Sequence, residues 1–67
     1  MKKIDRMILE LLDEKPMTAY EISKRLNCSW GTAMNHCLKL ERMGLISGKK
    51  KHHGFQEKVV WERIKEV

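Results

Sequence analysis

Lys49-Lys50-Lys51-His52-His53 is the densest run of cationic and titratable side chains in this 67-residue chain, and Lys58 follows shortly after. From Gly44 to Lys58 there are four lysines against one acid, Glu57, a local net charge of +3 within a formal +5 for the whole chain. Cations gathered in this way favour a polyanionic partner, because seating them on phosphates releases condensed counterions. An edge hairpin kept soluble by its lysines is the plainer alternative. The two histidines would add pH dependence, since imidazole titrates near about pH 6.5.

A second group of useful side chains lies upstream, in Ser29-Trp30-Gly31-Thr32 and then Asn35 and Lys39. An amide can bond the edge of adenine through two hydrogen bonds, a cation reaches guanine or phosphate, and a glycine lets backbone approach closely. Trp30 could meet a thymine methyl or a backbone sugar, or cap the edge of a core. Leu38, an apolar residue on the same outer side, could do the first of these or cover a neighbouring hairpin.

Other chemistries fit less well. Cys28, Cys37, His52 and His53 could in principle ligate a metal, but their C-x8-C-x14-H-H spacing lacks the close cysteine pair of structural zinc sites. Small core residues is the better reading of the cysteines, and two of them make no secreted disulfide framework. No Ser/His/acid set or phosphate-cradling glycine loop suggests an enzyme, and no cofactor is expected. No apolar run approaches the roughly 20 residues that span a bilayer, and the charged N-terminus is unlike a signal peptide, so a cytoplasmic protein without a membrane partner is expected.

These residues need elements to position them, and the chain is long enough for one small domain. Ile4, Met7, Ile8, Leu11 and Leu12 fall on one stripe of a first helix, about residues 2–14, which Pro16 ends. Thr18 and Glu21 form a capping box for a second helix, about 19–26, with Ala19, Ile22 and Leu26 inward. Met17 reads as a short extended residue beneath it, and Asn27-Cys28 as a turn. Ser29 caps a third helix, about 30–43, closed by Gly44. On a helical wheel Ala33, Cys37 and Leu40 share the inner arc, while Gly31, Thr32, Asn35, Leu38, Lys39 and Arg42 share the outer one. Two antiparallel strands follow, about Ile46–Lys50 and Phe55–Arg63, joined at His52–Gly54, so that the hairpin occupies about 45–64. The second strand has two apolar pairs, Val59/Trp61 and Val60/Ile64, and either could face inward. The expected fold is α+β: a three-helix winged helix-turn-helix with a C-terminal two-stranded β-hairpin wing. Such a fold would present the third helix to the major groove of double-stranded DNA.

The run from Thr32 to Ile46, TAMNHCLKLERMGLI, resembles the TVSRHLKKLEEKGLI pattern of MarR- and ArsR-like winged helix-turn-helix regulators. PMTAYEISKRL, Pro16–Leu26, is similar to the second helix of PadR-like regulators, which are also winged. The resemblance covers nearly the whole chain, and its short length and Lys/Glu content resemble archaeal or archaeal-virus regulators. It implies sequence-specific DNA binding by a small transcriptional regulator. By position it implies groove and phosphate contacts from Ser29, Thr32, Asn35 and Lys39, with Thr18 and Tyr20 on backbone phosphate. With Trp30, Gly31, Lys49, Lys50, Lys51, His52 and His53 these make the expected DNA-binding set. The chain departs from the pattern at Asn35, where arginine is common, and it lacks the extra C-terminal helix through which many relatives dimerise. A homodimer through helix one or the hairpin is the expected assembly. The alternative is a winged-helix protein-interaction module of the transcription machinery, with Trp30, Met34 and Leu38 as its patch.

Overall fold

The computed structural model describes residues 2–65, apart from the His53 side chain. The order is α1 (Lys3–Glu14), β1 (Met17–Thr18), α2 (Ala19–Leu26), α3 (Trp30–Arg42), β2 (Ile46–His53) and β3 (Gln56–Arg63). α1 begins one residue later than anticipated, with Lys2 at the N-cap and no side-chain cap. Its buried arc is Asp5, Ile8, Leu9 and Leu12. That arc is rotated from the stripe expected from the apolar residues alone: Met7 is 38 % exposed, while Ile4 and Leu11 are only half-buried. The rotation has a physical cause, because Asp5 finds hydrogen-bonding partners in His36 and Lys39 on α3 and is drawn inside with Leu9 beside it.

The helix-turn-helix is built from capping chemistry. The Glu21 N–H donates to Thr18 Oγ1 at 3.1 Å, and the Thr18 N–H donates to Glu21 Oε1 at 3.2 Å, so a capping box opens α2. α2 ends at Asn27, whose φ of 54° is left-handed, a conformation asparagine tolerates better than most residues. The Cys28 N–H then donates to the Ser23 carbonyl at 3.0 Å, closing the turn. Ser29 caps α3 by accepting the Thr32 N–H at 3.1 Å. At the other end Gly44 (φ 77°) donates to the Glu41 carbonyl and Leu45 to the Leu40 carbonyl, the paired bonds of a Schellman ending.

The sheet has three strands in the order β1-β3-β2, all antiparallel. The expected hairpin is thus joined by Met17-Thr18 as a third strand, with Met17 opposite Trp61 and Thr18 opposite Val60. The hairpin is also longer than expected on its first arm. β2 continues to His53, and the turn is Gly54-Phe55, not His52–Gly54. With the ladder closing at His53–Gln56, only two residues remain for the loop. Gly54 supplies its positive φ of 62°, which leaves Phe55 at the tip and outside the strand.

Trp61 decides which side of β3 is inward, for it is 2 % exposed, whereas Ile64 lies beyond the strand and is largely exposed. It packs with Ile8, Leu12, Met17, Ile22, Leu40 and Ile46 in one core between helices and sheet. Gly48, its cross-strand neighbour on β2, makes the indole fit. A Cβ there would stand 2.9 Å from Trp61 Cζ3 and 3.0 Å from Val59 Cγ1. Gly48→Ala should therefore overpack the sheet by ~1–3 kcal/mol. At about 4–8 °C per kcal/mol for a domain of this size, thermal unfolding followed by circular dichroism should show a clear drop in Tm. An unchanged Tm would mean that the indole is not pressed against β2.

Candidate nucleic-acid interface

α3 is anchored on its inner side by Ala33, Cys37 and Leu40, all fully buried. Burial, with Cys28 nearby, pushes the Cys37 thiol up to about 12, which keeps it protonated and inert. Among the described residues no three His, Cys, Asp or Glu side chains gather to hold a metal. The outer side of the helix is open. Trp30, Gly31, Thr32, Asn35, Leu38 and Arg42 are exposed, and the Asn35 amide makes no side-chain hydrogen bond among the described residues. No Cβ would be obstructed at Gly31, so the first turn presents bare backbone. Trp30 is 56 % exposed and sits beside Tyr20, Met34 and Val59 at the mouth of a shallow groove between α3 and the sheet.

Hydroxyls in the expected set have local work as well. Ser29 Oγ lies 2.8 Å from Thr32 Oγ1, so the two hydroxyls are coupled at the start of α3. Thr18 is half-buried and engaged in its capping box, and Tyr20 is exposed with the Lys24 ammonium 5.3 Å from its ring centre. Thr18 and Tyr20 at the start of α2 border the same groove as Trp30 at the start of α3.

Lys39 is placed differently from the other outer-arc residues. Its Nζ donates to Asp5 Oδ2 at 2.5 Å, and His36 Nδ1 stands 2.7 Å from Asp5 Oδ1. Asp5 is 1 % exposed, so a carboxylate from α1 is held inside the domain by two side chains of the third helix. Burial opposes its ionisation, but the hydrogen bonds and charges of Lys39 and His36 outweigh it and hold the carboxyl below its ordinary value. Lys39 is thereby turned toward α1, away from Asn35. Sequence reasoning passed over Asp5 and His36. The signal was present: Asp5 shares a helical face with Ile8, Leu9 and Leu12, and an acid on such a face needs a buried partner.

The lysine run does not form a single patch. Side chains alternate across a strand, so neighbours in sequence point to opposite faces. Gly48, Lys50 and His52 share the side of Trp61, and Lys50 reaches Glu57 at 3.4 Å and borders the groove with Met34 and Leu38. Lys49 and Lys51 are on the other side, where Lys49 reaches Glu62 at 3.2 Å and Lys51 stands opposite Lys58. The His53 side chain lies outside the described residues. Glu41 Oε2 accepts the Gly48 N–H at 3.3 Å, tying the end of α3 to the start of the hairpin and fixing how the two project together.

Three comparisons agree with this geometry. A family described as winged helix-turn-helix DNA-binding matches residues 1–47. An uncharacterised HTH-type transcriptional regulator of Pyrococcus furiosus is 50 % identical over 46 residues, 67 % of this chain and 31 % of that protein. The chain therefore spans about a third of the length of that curated relative. Among solved structures it is similar to the adhesin competence repressor of Streptococcus pyogenes (TM-score 0.86, 20 % identity, 97 % of this chain and 48 % of that one). A PadR family transcription regulator of Clostridium difficile is similar too (TM-score 0.83, 20 % identity, 94 % and 73 %). So is Stf76 from a Sulfolobus islandicus plasmid-virus (TM-score 0.83, 16 % identity, 92 % and 82 %). At such identities these structures show the shared fold.

The Asp5 cluster makes stability depend on pH in a stated direction. Since the folded carboxyl lies below 3.8, its contribution is whole above that value and is lost as pH falls through the depressed folded one. Asp5→Asn should cost ~1.5–3 kcal/mol at neutral pH, the range for hydrogen bonds to charged groups. The gap in Tm between wild type and variant should close as the medium is acidified below 3.8. A gap that stays constant with pH would mean that the carboxylate charge is not what holds α1 to α3.

Proposed function

The chain belongs to the winged helix-turn-helix DNA-binding family, and on that premise we propose that it is a transcriptional regulator that binds duplex DNA sequence-specifically. The observation that carries this reading is the open outer arc of α3, with the unpartnered Asn35 amide at its centre, set beside a lysine-bearing hairpin. α3 lies in the major groove. Asn35 reads a base edge, Arg42 and Thr32 flank it, and Trp30 and Gly31 press the first turn against the DNA. Ser29, Thr18 and Tyr20 position the helix-turn-helix on phosphates, and Lys49, Lys50, Lys51, His52 and His53 follow the adjacent backbone or minor groove. Lys39, held by Asp5, makes the weakest contribution of the expected set.

The protein acts in this reading as a cytoplasmic homodimer on a palindrome whose half-sites lie about one helical turn apart. Support for a dimer comes from α1, where Met7 is an exposed apolar side chain on the outside of the domain. No helix of the described residues is long and apolar enough to cross a membrane.

Two measurements test the proposal. Fluorescence anisotropy of a random duplex at several salt concentrations should give a log affinity that falls by roughly 0.9 per log unit of salt for each phosphate engaged. Lys49→Ala, Lys50→Ala and Lys51→Ala together should flatten that slope. Binding nearly independent of salt would favour a protein partner seated on Trp30 and Leu38. Asn35→Ala should lose ~1–3 kcal/mol on the selected operator and relax specificity at one base pair, with little effect on random DNA. Equal losses on both would remove Asn35 from base reading.

A further inference from the structure

Two features at the end of the hairpin are left unsatisfied in the isolated domain. Phe55, the second residue of the two-residue turn, is wholly exposed. Burial of a phenylalanine is a large source of stability, and here the fold gains none of it. Lys51 and Lys58 stand directly opposite each other in the ladder. Like charges directly opposite each other on two strands are destabilising. The contrast within the hairpin is informative. Lys49 and Lys50 have acidic partners in Glu62 and Glu57, whereas among the described residues Lys51 and Lys58 have none.

One partner surface satisfies both features at once: walls of negative charge on either side of an apolar floor. We propose that Phe55 is a wedge that enters the DNA minor groove and opens a base step, with Lys51 and Lys58 seated on the two phosphate walls. The proposal rests on the DNA-binding reading above and adds a deformation of the DNA to it.

The dimensions agree. Two residues on each arm lie between the lysine pair and the turn, and the three steps at ~3.3 Å each make ~10 Å along the strand. The minor groove is ~7.5 Å deep, so the ammonium groups stand at its lip when the ring is at its floor. Lysines paired across two strands start ~5 Å apart and splay outward on four-carbon stems, enough to reach both walls of a groove ~6 Å wide. The tip is also held firmly. The ladder runs without a break to His53–Gln56, and Gly54 takes the positive φ that so tight a turn needs. Apolar side chains inserted at a base step unstack it and kink the duplex toward the major groove, which at a step whose minor groove faces the wing would bend the DNA away from the hairpin tip. The preference generated would be for flexible pyrimidine–purine steps at a position where no base edge is read.

The test uses duplexes of about 25 base pairs carrying a central TA step, with 2-aminopurine beside it and a fluorophore pair on the ends. Wild-type protein should raise 2-aminopurine emission several-fold at that step and increase end-to-end energy transfer. Phe55→Ala should abolish both signals and weaken binding by about tenfold, while the salt slope stays unchanged. Phe55→Leu, which keeps an apolar tip, should retain part of each signal. Lys51→Gln and Lys58→Gln should each reduce the salt slope by about 0.9. All four substitutions are at exposed hairpin positions, and circular dichroism checks that the fold is kept. Salt-dependent binding with neither unstacking nor bending would overturn the wedge and leave the DNA-binding reading standing. Absence of duplex binding at low salt would overturn both. Phe55-dependent binding to anionic vesicles in place of DNA would overturn both as well.

Discussion

Trp61 is the residue on which the two halves of the fold meet. It occupies the middle of the central strand, with Met17 of β1 on one side and Gly48 of β2 on the other, and its ring lies in the helical core. A large flat side chain covers the joint between three strands and three helices only if a neighbour gives way, and Gly48 is that neighbour. The arrangement keeps the indole N–H away from any protein acceptor among the described residues. An unmade hydrogen bond costs of order 1–3 kcal/mol, so packing of the ring outweighs it here. Because the hairpin is attached through this joint, the direction in which it projects beside α3 follows from the same contact, reinforced by Glu41 on the Gly48 N–H.

A second constraint is electrostatic. In so small a domain a buried carboxylate is an expensive choice unless it is fully engaged, and Asp5 is engaged by both His36 and Lys39. Its effect is directional. Apolar packing tolerates rotation of a helix about its axis, whereas two short hydrogen bonds from one carboxylate to residues three apart on α3 do not. The rotation of α1 that buries Leu9 and turns Met7 outward follows from it. So does the division of the outer arc of α3, in which Lys39 belongs to the domain's interior bonding while Asn35 and Arg42 belong to its surface.

The hairpin distributes charge by geometry. Five basic or titratable residues in a row can crowd together on a loop, but a strand divides them between two faces. Lys50 joins the side bordering α3, and Lys49 with Lys51 the opposite side. Acids on the returning strand neutralise the lysines nearest the body of the domain and leave the outer pair facing each other. Lys51 and Lys58 are thus the lysines of the hairpin that have no acidic partner among the described residues.

What the chain determined by itself was whatever depends on near neighbours. Thr18 with Glu21, Ser29 with Thr32, Gly44 after Arg42-Met43 and the Ala33/Cys37/Leu40 spacing all act within a turn or two of helix, so α2 and α3 fall where the sequence places them. The exposure of Asn35 and Arg42 follows from the same periodicity. Tertiary structure decided the rest, because the deciding partners are far apart in sequence. The face that α1 buries depended on residues 31 and 34 positions away from Asp5. The inward side of β3 depended on the absence of a Cβ at Gly48 and on a strand partner at Met17. Phe55 is a β-forming residue by type, yet it sits at the tip because the ladder from Ile46–Arg63 to His53–Gln56 leaves only two residues for the turn. Register is a property of two strands together, and a single strand's residue types do not specify it.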